Sequence, residues 1–208
     1  MTTKLGLIAD VHATAEPVAE ALSIFRSEAV DTVICAGDIA GYYDNPNPVV
    51  QLLKSNQCNT IIGNHDQTYL ESHADQADAQ TYRFLSGLPE SLRFDFEHKR
   101  IYVVHAQPPR EQHGGIKLLD IDGNLIKEYV DYWSHELRDF DCDVLIVGHT
   151  HQVFAEKLGG TLVVNPGSTV FNHSCAVLTL PSMQVEFFAL SNKPILKTWN
   201  WGMAVRGL

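Results

Sequence analysis

Positive charge is scarce in this chain of 208 residues. It carries 15 lysines and arginines against 25 aspartates and glutamates, a formal net charge of −10. A protein that grips long nucleic acid by its phosphates needs a basic face, which this balance does not supply. Long apolar runs are missing too, and none approaches the roughly 20 residues that cross a bilayer. The N-terminal stretch MTTKLGLIADVHA turns polar at Asp10 before a secretory apolar region could be complete, so a cytoplasmic address is expected, with no membrane partner. The four cysteines, Cys35, Cys58, Cys142 and Cys175, form no CxxC pair. They read as small core residues in a reducing compartment. There is no internal repeat, low-complexity tract or linker, and 208 residues suit one domain spanning 1–208.

The first half alternates apolar runs with helical stretches. KLGLIA (4–9), DTVICAG (31–37) and CNTIIG (58–63) read as buried strands. A helix from Glu16 towards Glu28 and a proline-started one over 45–57 separate them, the pattern of a parallel sheet. Residues 66–90 read as mostly helical, and 92–97 with 100–106 as a hairpin turning at His98 and Lys99. Helical spacing returns over 122–139, followed by a strand at 143–148 and a strand-rich final sixty residues. In the tail, Trp199 and Trp201 are expected to cover apolar surface, with a contact between copies in a homo-oligomer as the alternative.

Ten histidines are present, and their placement carries the chemistry. Apolar runs stop at Asp10 and His12, at Asp38, at Asn64 with His65 beside it, at His105, and at His149 and His151. Ligands gather at the carboxyl ends of parallel strands. Carboxylate, imidazole and amide oxygen are all metal donors, and a mixed oxygen and nitrogen set suits Mn, Fe, Zn or Ni. Seven ligands overfill one tetrahedral centre but fit two divalent metal ions sharing a bridging carboxylate. Two ions ~3.5–4 Å apart are the usual device for in-line displacement at phosphorus. In Gly148-His149-Thr150-His151, an extended backbone would put both imidazoles on one side.

These blocks, Asp10-Val-His12, Gly37-Asp38, Gly63-Asn64-His65-Asp66, His105 and Gly148-His149-Thr150-His151, resemble the calcineurin-like metallophosphoesterase superfamily over residues 4–170. Asn165 to Ser168 matches an Asn-Pro-Gly-Ser turn found in its small single-domain bacterial and archaeal phosphodiesterases. The resemblance implies an α/β fold of four layers, α/β/β/α, with two mixed β-sheets packed face to face and helices outside. It also implies that Asp10, His12 and His151 hold one ion, that Asn64, His105 and His149 hold the other, and that Asp38 bridges them. His65 would contact the phosphate and protonate the leaving oxygen, with Asp66 orienting it, although an acid there also suits a helix N-cap.

Departures narrow the family reading. No arginine follows Asp38 as in protein serine/threonine phosphatases, Gly41 stands where purple acid phosphatases carry a tyrosine, and Ala106 replaces a frequent glycine. The expected activity is phosphodiester hydrolysis of small organic or nucleotide esters by a metal-bridging hydroxide. A dinucleoside polyphosphate hydrolase or phosphomonoesterase is the enzymatic alternative. An inactive binding scaffold is the non-enzymatic one, although no ligand position is lost. Tyr42 or Tyr43 is expected near the metal cleft, and Arg110 is a cation close in sequence to the site, with a solvated surface role as its simpler reading.

Overall fold

A computed structural model describes residues 1–43, 45–74 and 79–199. Its first sheet is built on the apolar run at the N-terminus, where β1 (Thr3–Ile8) lies parallel to β2 (Thr32–Cys35), and β2 to β3 (Asn59–Thr60). Between them run α1 (Ala15–Ser27) and α2 (Asn47–Ser55), the latter with Pro48 in its first turn, where a missing N–H costs nothing. After β3 come α3 (Asn64–Ser72) and α4 (Ala79–Ser86).

The second sheet starts with the hairpin β4 (Ser91–Phe96) and β5 (Lys99–Val104). Its turn is Glu97–His98, both with φ in the left-handed region, one residue earlier than the expected His98–Lys99. That twist matches paired strands, and it leaves Lys99 inside the ladder. Then follow α5 (Lys127–Glu136), β6 (Val144–Ile146), β7 (Val153–Leu158) and β8 (Thr161–Pro166). The chain returns to the first sheet through β9 (Ser174–Leu180) and β10 (Gln184–Ala189). The strand orders are β10-β9-β1-β2-β3 and β4-β5-β6-β8-β7, both mixed.

Alternation along the strands explains the layering. Leu5 and Leu7 point to one face of β1 and meet Ile101, Val103, Val144 and Ile146 of the other sheet. Ile8, Cys35 and Val177 point to the opposite face and meet Val18, Leu22 and Phe25 of α1, Val49 and Leu53 of α2 and Leu85 of α4. On the far side, Val104, Leu145, Val147 and Val163 pack with Leu137 and with Val130 and Trp133 of α5. The result is the expected four-layer α/β/β/α sandwich. The four cysteines are unpaired, three of them buried. No helix among the described residues is long and apolar enough to cross a membrane.

Several elements are shorter than the sequence suggests, β2, α2 and β6 among them, and two show the most. Strand 58–63 keeps ladder pairing only at Asn59–Thr60. Helix 122–139 starts at Lys127 because the Asp120 carboxylate accepts the N–H groups of Asp122 and Asn124, a turn that competes with helix. Trp201 lies outside the described residues.

Candidate metal centre

The strands β1, β2, β5 and β6 all stop within four residues of a polar side chain, and the chain then bends sharply. Asp10, His12, Asp38, His149 and His151 have φ of 51, 41, 56, 64 and 48°, left-handed backbone that non-glycine residues seldom adopt. Each costs of order 1–3 kcal/mol and persists where the surroundings over-determine it, typically at functional sites. Here the restraint is a mesh of hydrogen bonds. Asp10 N–H donates to Gly37 C=O at 3.0 Å, His12 N–H to Asp38 C=O at 3.0 Å, and Gly148 N–H to His105 C=O at 2.8 Å. His149 N–H donates to both oxygens of Asp10, at 3.0 and 3.1 Å. Extended backbone at 149–151 is therefore not what the fold uses. The two imidazoles turn into different halves of the site.

Asp10, His12 and His151 bring one donor atom each to within 4.8 Å of one another, as do Asp38, His105 and His149. A third such group, His12, Asp38 and His65, overlaps the first two, so Asp38 lies between them. Asn64 joins the second half: its Oδ1 is 3.0 Å from His105 Nε2 and 2.9 Å from His149 Nδ1. Glycine at 63 is a steric requirement, because a Cβ there would overlap the Asp38 carboxylate. His65 N–H donates to Asp38 Oδ1 at 2.9 Å.

The donor chemistry fits divalent ions. His12 Nδ1 lies 3.2 Å from Ala40 C=O and His105 Nδ1 2.8 Å from Ala36 C=O. A carbonyl only accepts, so Nδ1 carries a hydrogen and Nε2 faces the site; on His12 it can present a lone pair, whereas on His105 it faces the Asn64 and Asp38 oxygens and must shed a proton before it can ligate. His12 Nε2 is only 3.1 Å from His151 Nε2. Burial pulls His12 down to about 3 and His149 and His151 to about 4, leaving them neutral and able to donate. Burial pushes Asp10 up to about 7, its charge strongly disfavoured without a cation. Burial also opposes charge on Asp38, but His105, His12 and His65 hold that carboxyl well below the usual range. For His105 burial works downward, yet the Asp38 carboxylate prevails and raises it to about 9.

Asp66 departs from its expected role. Its Oδ1 accepts Ala40 N–H at 2.7 Å and its Oδ2 accepts Gly63 N–H at 2.9 Å. Both oxygens thus tie the start of α3 to the Asp38 loop, Oδ2 reaching back to the N-cap Gly63 as the acid of a capping box does, and neither hydrogen-bonds the His65 ring. Tyr42 meets the expectation of a ring at the cleft, its centroid 4.5 Å from those of His12 and His65. Asn165 Nδ2 donates to Gly148 C=O at 3.0 Å, and Ser168 Oγ donates to Asp10 C=O at 2.5 Å, so the Asn-Pro-Gly-Ser turn braces two ligand loops.

The pocket over the donors holds about 200 Å³ and is lined by Asp38, Tyr42, His65, Lys117, His149, Thr150, His151 and Trp199. Lys117 and Trp199 were not legible as site residues. Neither belongs to a motif, and each is delivered by a loop whose path only the tertiary structure shows. Trp199 does cover apolar surface, stacking on Phe171 at 4.0 Å, but that surface adjoins His151. Arg110, close to His105 in sequence, does not line this pocket.

A model of the calcineurin-like phosphoesterase superfamily domain matches residues 3–182. A probable metallophosphoesterase of Methanothermobacter thermautotrophicus is 26% identical over 87% of this chain and 83% of its own length. A phosphodiesterase of Methanocaldococcus jannaschii is 23% identical over 79% of this chain and 82% of its own. Among solved structures, a metallophosphoesterase from Sphaerobacter thermophilus superposes with a TM-score of 0.67 at 22% identity, covering 92% of this chain and 89% of that one, a likeness of fold.

Proposed function

Because the chain belongs to the calcineurin-like phosphoesterase superfamily, we propose that it is a phosphodiesterase for small organic or nucleotide phosphate esters, working with two divalent ions. The observation that supports this most is the convergence of seven oxygen and nitrogen donors from five strand ends on one edge of the sandwich. Asp10, His12 and His151 would hold one ion, Asn64, His105 and His149 the second, with Asp38 shared. Bound there, such ions lower the pKa of water and neutralise charge building on phosphoryl oxygens.

The chain's own groups would do the rest. Ala40 and Ala36 carbonyls fix the tautomers of His12 and His105, and the Asp10 carboxylate anchors His149 through its backbone. His65 stands in the first turn of α3 beside Asp38, half-buried and facing the pocket. An imidazole there can hydrogen-bond the ester oxygen that departs and hand it a proton. The flanking cleft of about 290 Å³, lined by Tyr42, Tyr43, His65, Tyr69 and His73 among others, offers rings to the departing group. The pockets suit a compact ester, not a polymer track.

Metal-stripped protein should be inactive on bis(p-nitrophenyl) phosphate and regain activity with Mn²⁺ or a similar ion. Retained activity after complete chelation, or hydrolysis of long DNA with small esters untouched, overturns the reading.

A further inference from the structure

The Asp38–His65–His149 pocket has one cationic side chain among its described lining residues, and the fold fixes that residue's backbone closely. Lys117 sits between Ile116 and Leu118, both fully buried. Thr150 Oγ1 donates to Ile116 C=O at 3.2 Å, and Gln152 Oε1 accepts the N–H groups of Leu118 and Leu119 at 2.8 and 3.1 Å. Gln152 Nε2 returns a bond to Leu119 C=O at 2.9 Å. Just upstream, Gln107 Oε1 accepts Gly115 N–H at 3.1 Å. Gly115 has φ of +84°, and a Cβ there would come within 2.7 Å of Thr150 and 3.0 Å of His149, so glycine lets this loop lie flat on the histidine turn. Thr150 and Gln152 thus clamp the Lys117 loop, while His149 and His151, alternating with them, serve the metal cluster. Lys117 is an exposed side chain, and no ion pair or hydrogen bond to its ammonium is found among the described residues.

A flexible lysine on a rigidly bound backbone, opening onto a site for phosphate, is a point charge available to an anion. In a protein of net charge −10 it stands out locally. On the hydrolase reading the metal donors lining the same pocket take the scissile phosphate, and Tyr42 and Trp199 supply rings on its walls. We propose that Lys117 is a second anion-binding point of the metal pocket, and that the preferred substrates are nucleotides carrying a phosphate beyond the scissile one. The assignment rests on the hydrolase reading above and names its substrate class.

The test uses metal-reconstituted protein and calorimetric binding of adenosine diphosphate and adenosine monophosphate, with bis(p-nitrophenyl) phosphate hydrolysis run alongside. Wild type should bind the diphosphate more tightly. Lys117→Gln should weaken diphosphate binding roughly tenfold, the scale of a lost charge-assisted hydrogen bond, and monophosphate binding by less than about threefold. Lys117→Arg should restore most of the preference, and metal content should stay the same in all three. Equal losses for both nucleotides, or no loss, overturn the assignment while leaving the hydrolase reading intact. Fully metallated wild type that binds neither nucleotide and cleaves no ester overturns both.

Discussion

At the scale of single residues, the decisive contrast is between neighbours in Asn64-His65-Asp66. Asn64 turns its amide oxygen onto His105 and His149, His65 faces the pocket, and Asp66 is buried with both oxygens on backbone N–H groups. His65→Ala should therefore keep its metals and lose about 10²–10⁴ in kcat on esters of poor leaving groups, the range of general acid–base catalysis. With a nitrophenolate leaving group the loss should shrink, and an equal loss on both substrate types would count against proton delivery by His65. Asp66→Ala should act instead on stability, by about 1–3 kcal/mol for each stranded N–H, read as a lower denaturation midpoint with the pH profile of kcat unchanged. The seven proposed ligands were legible because each stands at, or a few residues past, the end of an apolar run. The division of labour was not, since a carboxylate after a histidine can orient it or cap a helix with the same letters. Lys117 was illegible for a different reason: its role depends on Thr150 and Gln152, more than thirty residues away.

At the scale of elements, ends and turns were harder to read than the elements themselves. Strands β1, β2, β5 and β6 announce themselves as β-branched and leucine-rich runs. The late start of α5 hinges on the Asp120 turn, and β3 is short because past Ile61, whose N–H still reaches Cys35 C=O, the chain bonds elsewhere. Ile62 N–H goes to Pro89 C=O, on the far side of α3 and α4, a partner that local pattern cannot supply. The four-layer arrangement came from the family resemblance, whereas its physical cause is the alternation seen in β1. Phe25 shows this cause at work. It is 2% exposed and lies over Gly6, where a Cβ would approach its ring to 2.7 Å, so α1 sits directly on the sheet. Phe25→Ala should cost about 3–5 kcal/mol, measured by urea unfolding of the metal-free protein. A loss below about 1 kcal/mol would mean that α1 does not depend on this contact.

At the scale of the whole molecule, folding gathers charges that are costly together until a cation joins them. In the metal-free centre at pH 6, Asp10, raised to about 7, and His105, raised to about 9, each hold a proton that ligation must expel. Metal uptake in weak buffer at that pH should release protons from both ligands, beyond any from metal-bound water, and fewer ligand protons near pH 8. Apparent metal affinity should accordingly rise with pH up to about 9. Affinity that stays flat from pH 6 to 9 would contradict these protonation states. His12, His149 and His151 add nothing to this trend, since burial keeps them neutral above about pH 4. The most direct test of the binuclear centre is elemental analysis after reconstitution, comparing wild type with Asp38→Ala and His151→Ala. Two ions per chain are expected in wild type, about one in His151→Ala, and a loss from both halves in Asp38→Ala. Active wild-type protein holding one ion or none would contradict the two-ion centre.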